Sequence, residues 1–260
     1  MLKNLYTHRR YLLSSFWTEF QYRYSGTSLG MLWMFAGPLF EVLIYAVVFS
    51  QIISIRSSGG RGISYTLYLT SGLFPFFTFS QMLNRGSNAI KKNALLMRRA
   101  LVPAEVFVLK EGLLVGFTLS IYLIFLIVIS VIAKNPLSWT AALMPVFGIL
   151  LFILSYGLAL ILANLRILFP DIGEILGIII RLWRWTLPIF FSDKGFDPWL
   201  RRVMSLNPPY YFIRSFRDVL IEHTIPSVGA WLSMGFWIVV FLALASLVTN
   251  RLSNEVKDLI

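Results

Sequence analysis

Six blocks of this chain, residues 31–53, 66–83, 106–133, 139–163, 172–191 and 229–248, are apolar on every side and approach or exceed the ~20 residues with which a helix crosses a ~30 Å hydrocarbon core. In lipid each backbone N–H and C=O has to be paired inside the protein, which leaves only helices and closed barrels. Barrel strands run ~10 residues with alternating polarity, a pattern these blocks lack. The sequence therefore predicts an all-α integral membrane protein with six transmembrane helices, forming a single domain over residues 1–260. A hydrophobic content of 57% and a mean hydropathy of +0.74 fit that class rather than a soluble one.

A net charge of +11 would suit nucleic acid in a soluble chain. Here anionic headgroups and the enrichment of Lys and Arg in cytoplasmic loops account for it, and no nucleic-acid partner is expected. With the N-terminus inside, Lys3, Arg9, Arg10, Arg23, Arg85, Lys91, Lys92, Arg98, Arg99, Lys110, Arg166, Arg251 and Lys257 are cytoplasmic, and the short outer loops hold Arg56, Arg61 and Lys134. Both termini then face the cytoplasm. Cysteine is absent and His8 and His223 lie far apart, so disulfides, thiolate chemistry, a local metal motif and a cofactor are not expected. The opening residues lack an apolar core followed by a small-residue cleavage site, so no removable signal peptide is expected.

Five segments, within and outside the spans, carry candidate function. Over residues 5–24, Leu5, Leu12, Leu13, Phe16, Trp17, Phe20 and Tyr24 recur at helical spacing, with Thr7, His8, Ser14, Thr18 and Gln21 opposite. This reads as an amphipathic interfacial helix, leading through a turn to residue 28, in which Arg9 and Arg23 snorkel from the apolar arc. Residues 84–105 combine basic residues with apolar Ile90, Leu95, Leu96 and Met97, and a short helix over about 89–100 would suit docking to a soluble partner. A positive-inside anchor explains its charges too, but not its apolar residues.

In the first span, Glu41 near Pro38 is costly at its depth and has Arg181 or Arg184 as a possible partner, or a local polar pocket. The run Arg181-Leu182-Trp183-Arg184-Trp185 near Pro188 admits two readings, a water-filled path inside the bundle or an interfacial belt. Residues 192–228 are too long for a turn and too polar to span, and Asn207-Pro208-Pro209 signals a helix start before Tyr210 and Tyr211. The expectation is an outer re-entrant or interfacial helix whose aromatics serve as a gate, as sugar-stacking surfaces or as membrane anchors.

Arg23-Tyr24, Leu29-Gly30, Trp33 and Pro38 are followed by Tyr68-Leu69 and Ser71-Gly72-Leu73-Phe74-Pro75. Next come Asn93, Leu95, Pro103 and Glu105, then Asp171-Ile172, Pro188-Ile189, and Asn207-Pro208 with Arg217. In this order the features resemble the permease subunit of type-2 ABC exporters, in the branch that exports O-antigen, capsule or teichoic-acid polymers. The resemblance covers nearly the whole chain. It implies a bacterial inner-membrane location and a homodimer around a central channel, with two copies of a separate ATPase subunit that binds ATP and Mg. It also implies a lipid-linked glycan as substrate. On this resemblance the interfacial helix, with Arg9, Trp17, Arg23 and Tyr24, marks the channel entrance. Ile90, Lys91, Lys92, Leu95, Leu96, Arg98 and Arg99 make the ATPase contact.

Aromatic walls suit glycans because sugar rings have apolar faces, which gives channel candidates Phe35, Phe74, Phe76, Phe77, Trp183, Trp185, Tyr210 and Tyr211, with Glu41, Arg181 and Arg184 as polar lining. Two departures stand out: Pro170 precedes Asp171 where the family often has a basic residue, which weakens ion pairing in that loop, and the arginines at 181 and 184, where the family is usually more apolar, imply a more cationic wall. The chain has no Gly-rich loop ending in Gly-Lys-Ser or Gly-Lys-Thr, so the energy must come from a partner. Two rival readings are an exporter of drugs or small lipids with the same fold, and a membrane-embedded glycan- or lipid-processing enzyme. For the enzyme, Asp193 with Asp197 is the only close carboxylate pair outside the membrane.

Overall fold

The computed structural model describes residues 2–24, 36–37, 39–40, 43–44, 65–100 and 102–259. The block 31–53 lies almost wholly outside the described residues, and with it Phe35, Pro38, Glu41 and any pairing of Glu41 with Arg181 or Arg184. The described helices are α1 (Leu2–Thr7), α2 (Arg9–Tyr24), α3 (Tyr65–Ser87), α4 (Ala89–Lys92), α5 (Ala94–Ala100), α6 (Ala104–Ile132), α7 (Met144–Leu168), α8 (Ile172–Thr186), α9 (Pro198–Ser205), α10 (Tyr210–Leu220) and α11 (Val228–Leu259). Short 3₁₀ turns cover Trp139–Leu143 and Asp193–Gly195, and no strand occurs among the described residues.

Among the described residues three stretches are long and apolar enough to cross a membrane: Ala104–Ile132, Trp139–Leu168 and Val228–Leu252. Helix α3 has the length, at 23 residues, but carries Thr, Ser, Gln and Asn among its aromatics. That composition fits its place, because α3 is enclosed by α6, α7, α8 and α10 and is buried along most of its length. Helix α8 is only 15 residues, about 22 Å, shorter than the apolar block that contains it. Pro188 is the reason, since it holds Leu187 extended at φ −104, ψ 148.

The core is aromatic. Phe74 stacks on Tyr122 with centroids 4.7 Å apart, and Phe147 joins Trp231 at 5.1 Å. At Gly157 a side chain would meet the Phe241 carbonyl carbon at 3.1 Å, so the missing Cβ lets α7 and α11 pack backbone to backbone. Outward, α6 shows Ile124, Ile127, Val128 and Val131, and α11 shows Leu232, Phe236 and Val239. Water would not tolerate that continuous surface, whereas hydrocarbon does.

Polar groups collect at the two ends of the bundle. Lys110 and Glu111 sit near the start of α6 and Asn135 just past its end, where the Asn135 side chain donates to Leu220 O at 2.8 Å. The rise from Glu111 to Ala133 is about 33 Å, close to one hydrocarbon thickness. The α6 C-terminus closes with Lys134 in the left-handed region at φ 54, while Asn135 N donates to Ser130 O at 3.0 Å, the bond of a Schellman cap.

The helix expected over 89–100 forms in two pieces, α4 and α5. They part at Asn93, whose side-chain amide donates to Ala89 O at 2.7 Å. The helix expected over 5–24 forms as α1 and α2 and lies along α6, with Tyr11 against Phe107 at 6.1 Å and Phe20 against Phe117 at 5.0 Å. Leu12 and Phe20 are buried there, while Tyr6, Leu13 and Trp17 remain exposed along the other edge of the apolar arc.

Candidate functional site at the charged end of the bundle

Glu19 of α2 is the sole acid between Met1 and Phe40, and it points at the docking segment. Its Oε1 pairs closely with Lys92 of α4 and its Oε2 with Lys110 of α6 at 2.9 Å. Lys92 also reaches Glu111 Oε1 at 3.0 Å, and Arg85 of α3 donates Nε and Nη2 to Glu111 Oε2 at 3.1 and 2.9 Å. Lys110 completes the lattice by donating to Asn93 Oδ1 at 3.0 Å. Four helices thus meet through two carboxylates and three cations, with Glu111 and Lys110 side chains only 3% and 7% exposed.

Partial burial works against the ionised Glu19, but Lys92 and Lys110 outweigh it and hold the carboxyl at about 2. Burial also opposes charge on Lys92, and Glu19 with Glu111 overcomes it and raises the ammonium pKa. The pairs border a cleft of about 600 Å³ lined by Tyr11, Ser14, Ser15, Thr18, Glu19, Lys92, Asn93, Leu96 and Lys110. Nearby, Asn4 donates to Glu105 Oε1 at 3.0 Å and Arg166 to Ser87 Oγ at 3.2 Å. Among the described residues no His, Asp or Glu group is arranged to hold a metal. Mechanically, α4 cannot shift against α2 without breaking or dragging the Glu19 pairs.

The opposite end is fixed by another polar set. Arg217 of α10 is buried, donating to Pro188 O and to Ile189 O at 2.8 Å while its guanidinium lies 3.8 Å from the Tyr68 ring centre. Tyr65 and Tyr68 donate to Phe190 O at 3.2 Å and Phe191 O at 2.7 Å, so α3 grips the chain that follows α8. Asp193 accepts from Tyr210 OH and from Arg214 Nη1 at 2.8 Å. Burial first, then the hydrogen bond to Asp193, pushes the Tyr210 phenol up to about 12. The Asp193 carboxylate is thus bonded inside the bundle to α10, while Asp197 stands exposed before α9. Trp183 Nε1 donates to Asn207 Oδ1 at 2.6 Å, which ties the end of α8 to the start of α10.

Residues 10–221 match the family model for the ABC-2 type transporter, which is most of the chain and includes both polar ends. This chain belongs to the ABC-2 type transporter family. Relatives include the O-antigen export system permease protein RfbA of Myxococcus xanthus, 25% identical over 99% of this chain and 98% of the relative. RfbA of Klebsiella pneumoniae is 26% identical over 80% of this chain and 78% of its own length. The polysialic acid transport protein KpsM of Escherichia coli is 24% identical over 88% and 89%.

Within this ABC-2 chain the sequence-derived docking residues divide. Ile90 is fully buried and belongs to the core, because α4 turns it toward α6 and α7. Lys91 is exposed, Lys92 enters the Glu19 lattice, and Leu95 and Leu96 are 61% and 46% exposed. Arg98 and Arg99 lie on α5. At the expected entrance, Arg9 lies over the Tyr6 ring at 4.2 Å and Trp17 is exposed, while Arg23 and Tyr24 end α2.

Of the aromatic channel candidates, Phe74, Phe76, Phe77 and Tyr210 are buried within a single chain, where they pack α3 and α10 into the core. Of the others, Trp185 and Arg181 are exposed, while Trp183 and Tyr211 are half-buried. Arg184 is also half-buried, with its guanidinium 5.5 Å from the Phe76 ring centre. Glu19 and Glu111 escaped the sequence reading. Their only signal was isolation, Glu19 as the lone acid of a basic N-terminal segment and Glu111 as a carboxylate inside a block read as apolar.

Proposed function

We propose that this chain is the membrane-spanning permease subunit of an ATP-driven exporter that moves a lipid-linked polysaccharide, O-antigen or a related lipopolysaccharide or capsular glycan, across a bacterial inner membrane. The observation that carries this reading is end-to-end similarity to an O-antigen export permease, over 99% of this chain. In this reading the chain has six spans and both termini in the cytoplasm. The charged end faces the cytoplasm, as its surplus of Arg and Lys favours. Two copies enclose a channel, each served by an ATPase subunit that binds ATP and Mg.

The exposed Lys91 of α4 and Leu95 and Leu96 of α5, with Arg98 and Arg99 also on α5, receive the ATPase. ATP-driven closure of two such partners moves α4 and α5, and the Glu19 pairs transmit that motion to α2 at the entrance. Helices α9 and α10 cap the outer mouth as re-entrant elements. The wall is left to side chains not used up in the core, Arg181, Trp183, Trp185 and Tyr211 among them. The test is co-purification of the chain with the ATPase encoded beside it, followed by reconstitution and measurement of ATP hydrolysis and glycan export. A stable complex with glycan-dependent export is expected. Failure to bind any ATPase, or turnover of a glycan by the chain alone, sinks the proposal.

A further inference from the structure

Helix α9 presents two unlike faces. Trp199, Val203 and Leu206 recur at i, i+4 and i+7 and are 66%, 56% and 67% exposed, an apolar stripe open to the surroundings. Along the adjoining side, Pro198, Arg201, Arg202 and Ser205 meet Tyr210, Tyr211 and Arg214 of α10 around a cleft of about 270 Å³. Among the described residues three arginines line it and no carboxylate does. Two of the guanidiniums are held in place: Arg201 donates Nε to Asp193 O at 3.2 Å and Nη2 to Phe196 O at 3.3 Å, and Arg214 is anchored on Asp193 and on the Tyr210 hydroxyl at 3.0 Å. Arg202 is exposed at the rim. Of the nearby acids, Asp193 and Asp218 both pair with Arg214, at 2.8 and 3.9 Å, and Asp197 precedes α9, which among the described residues leaves the charge of Arg202 to the cleft.

We propose that this cleft binds the phosphate of an anionic membrane lipid, with the acyl chains lying against the Trp199, Val203 and Leu206 stripe. A guanidinium offers a planar fork of donors that matches phosphate oxygens, and fixed guanidiniums lose little freedom on binding. An apolar stripe beside a cationic face is the pattern of a helix seated at the boundary between headgroups and acyl chains, where lipid phosphates lie. The neighbouring stripe selects a lipid over free phosphate, since a soluble anion has no use for it. The cleft has room for a headgroup and not for chains. The proposal holds whatever polymer is exported, and whether or not an ATPase is bound.

The experiment is native mass spectrometry of the full-length chain in neutral detergent, titrated with phosphatidylglycerol, for wild type and the variants Arg202→Gln and Trp199→Ser. Both substitutions fall on exposed side chains, so the fold is retained. Each variant is expected to weaken phosphatidylglycerol retention by about five- to tenfold, the loss of one charge-assisted hydrogen bond or of a buried aromatic contact. Inorganic phosphate should not displace the lipid. Equal retention in wild type and both variants overturns the site. Displacement by inorganic phosphate or by a soluble acidic oligosaccharide, with unchanged lipid retention in Trp199→Ser, overturns the lipid assignment in favour of that ligand.

Discussion

Arg217 brings a full charge into the core with two carbonyls and one ring to receive it, Pro188 O, Ile189 O at 2.8 Å and Tyr68 at 3.8 Å. Removing it strands both carbonyls in a dry site and leaves a hole, a combined loss of roughly 2–4 kcal/mol. Arg217→Ala is therefore expected to lower the unfolding temperature in detergent markedly. Arg217→Lys should recover only part, because a single ammonium cannot fork to two carbonyls as a guanidinium does. Gly72 is bound to the same site, since a Cβ there would stand 2.7 Å from Arg217 Nη2, and Gly72→Val should mimic the loss.

Glu19 makes a different prediction. Its carboxyl sits at about 2 in the fold against 4.5 unperturbed, so its contribution is complete above about 4.5 and is lost as the pH falls through about 2. The protection factors of residues 9–24 against hydrogen exchange, corrected for the intrinsic rate at each pH, should fall across that window in wild type. In Glu19→Gln they should be low and flat from the start. Exposure of the pair to solvent keeps the effect modest.

At the scale of elements, α5 is the clearest subject. Its Leu95 and Leu96 are exposed apolar residues at the charged end, beyond the hydrocarbon. If they seat an ATPase, Leu95→Asp or Leu96→Asp should uncouple export while leaving membrane insertion and thermal stability unchanged, because no core contact is lost. Normal export by both variants would remove α5 from the docking role.

How much of these elements the sequence disclosed depended on whether the information was local. Asn207-Pro208-Pro209 announces α10 because proline geometry is local, and the apolar residues over 5–24 announce α2 because helical period is local. The burial of Ile90 and of the phenylalanines of α3 was not legible, because periodicity tells which residues share a face and only the neighbours tell what that face meets. The Glu19–Lys92 pair links positions 73 apart, and no spacing rule reaches that far. The shortening of α8 was legible in Pro188, had its effect on Leu187 been weighed against the apolar run.

For the whole molecule, the two polar ends and the apolar belt between them define how the chain must sit. Glu111 and Ala133 are separated by about one hydrocarbon thickness, and the exposed residues between them, Ile124 among them at 60%, are apolar except Ser120, whose hydroxyl donates to Gly116 O. The chain contains no cysteine, so single cysteines report position without a background to remove. Three sites suffice: Lys91→Cys at the charged end, Ile124→Cys in the belt and Leu137→Cys at the loop end, all on exposed side chains. A membrane-impermeant maleimide added outside intact spheroplasts should label Leu137→Cys at once. Lys91→Cys should react only after the membrane is opened. Ile124→Cys should resist under both conditions, since a thiol in hydrocarbon neither ionises nor meets the reagent. Labelling of Lys91→Cys from outside would invert the orientation, and with it the placement of the ATPase at α5. Labelling of Ile124→Cys would mean that the belt faces water, which its Ile and Val side chains would not withstand without a partner to cover them.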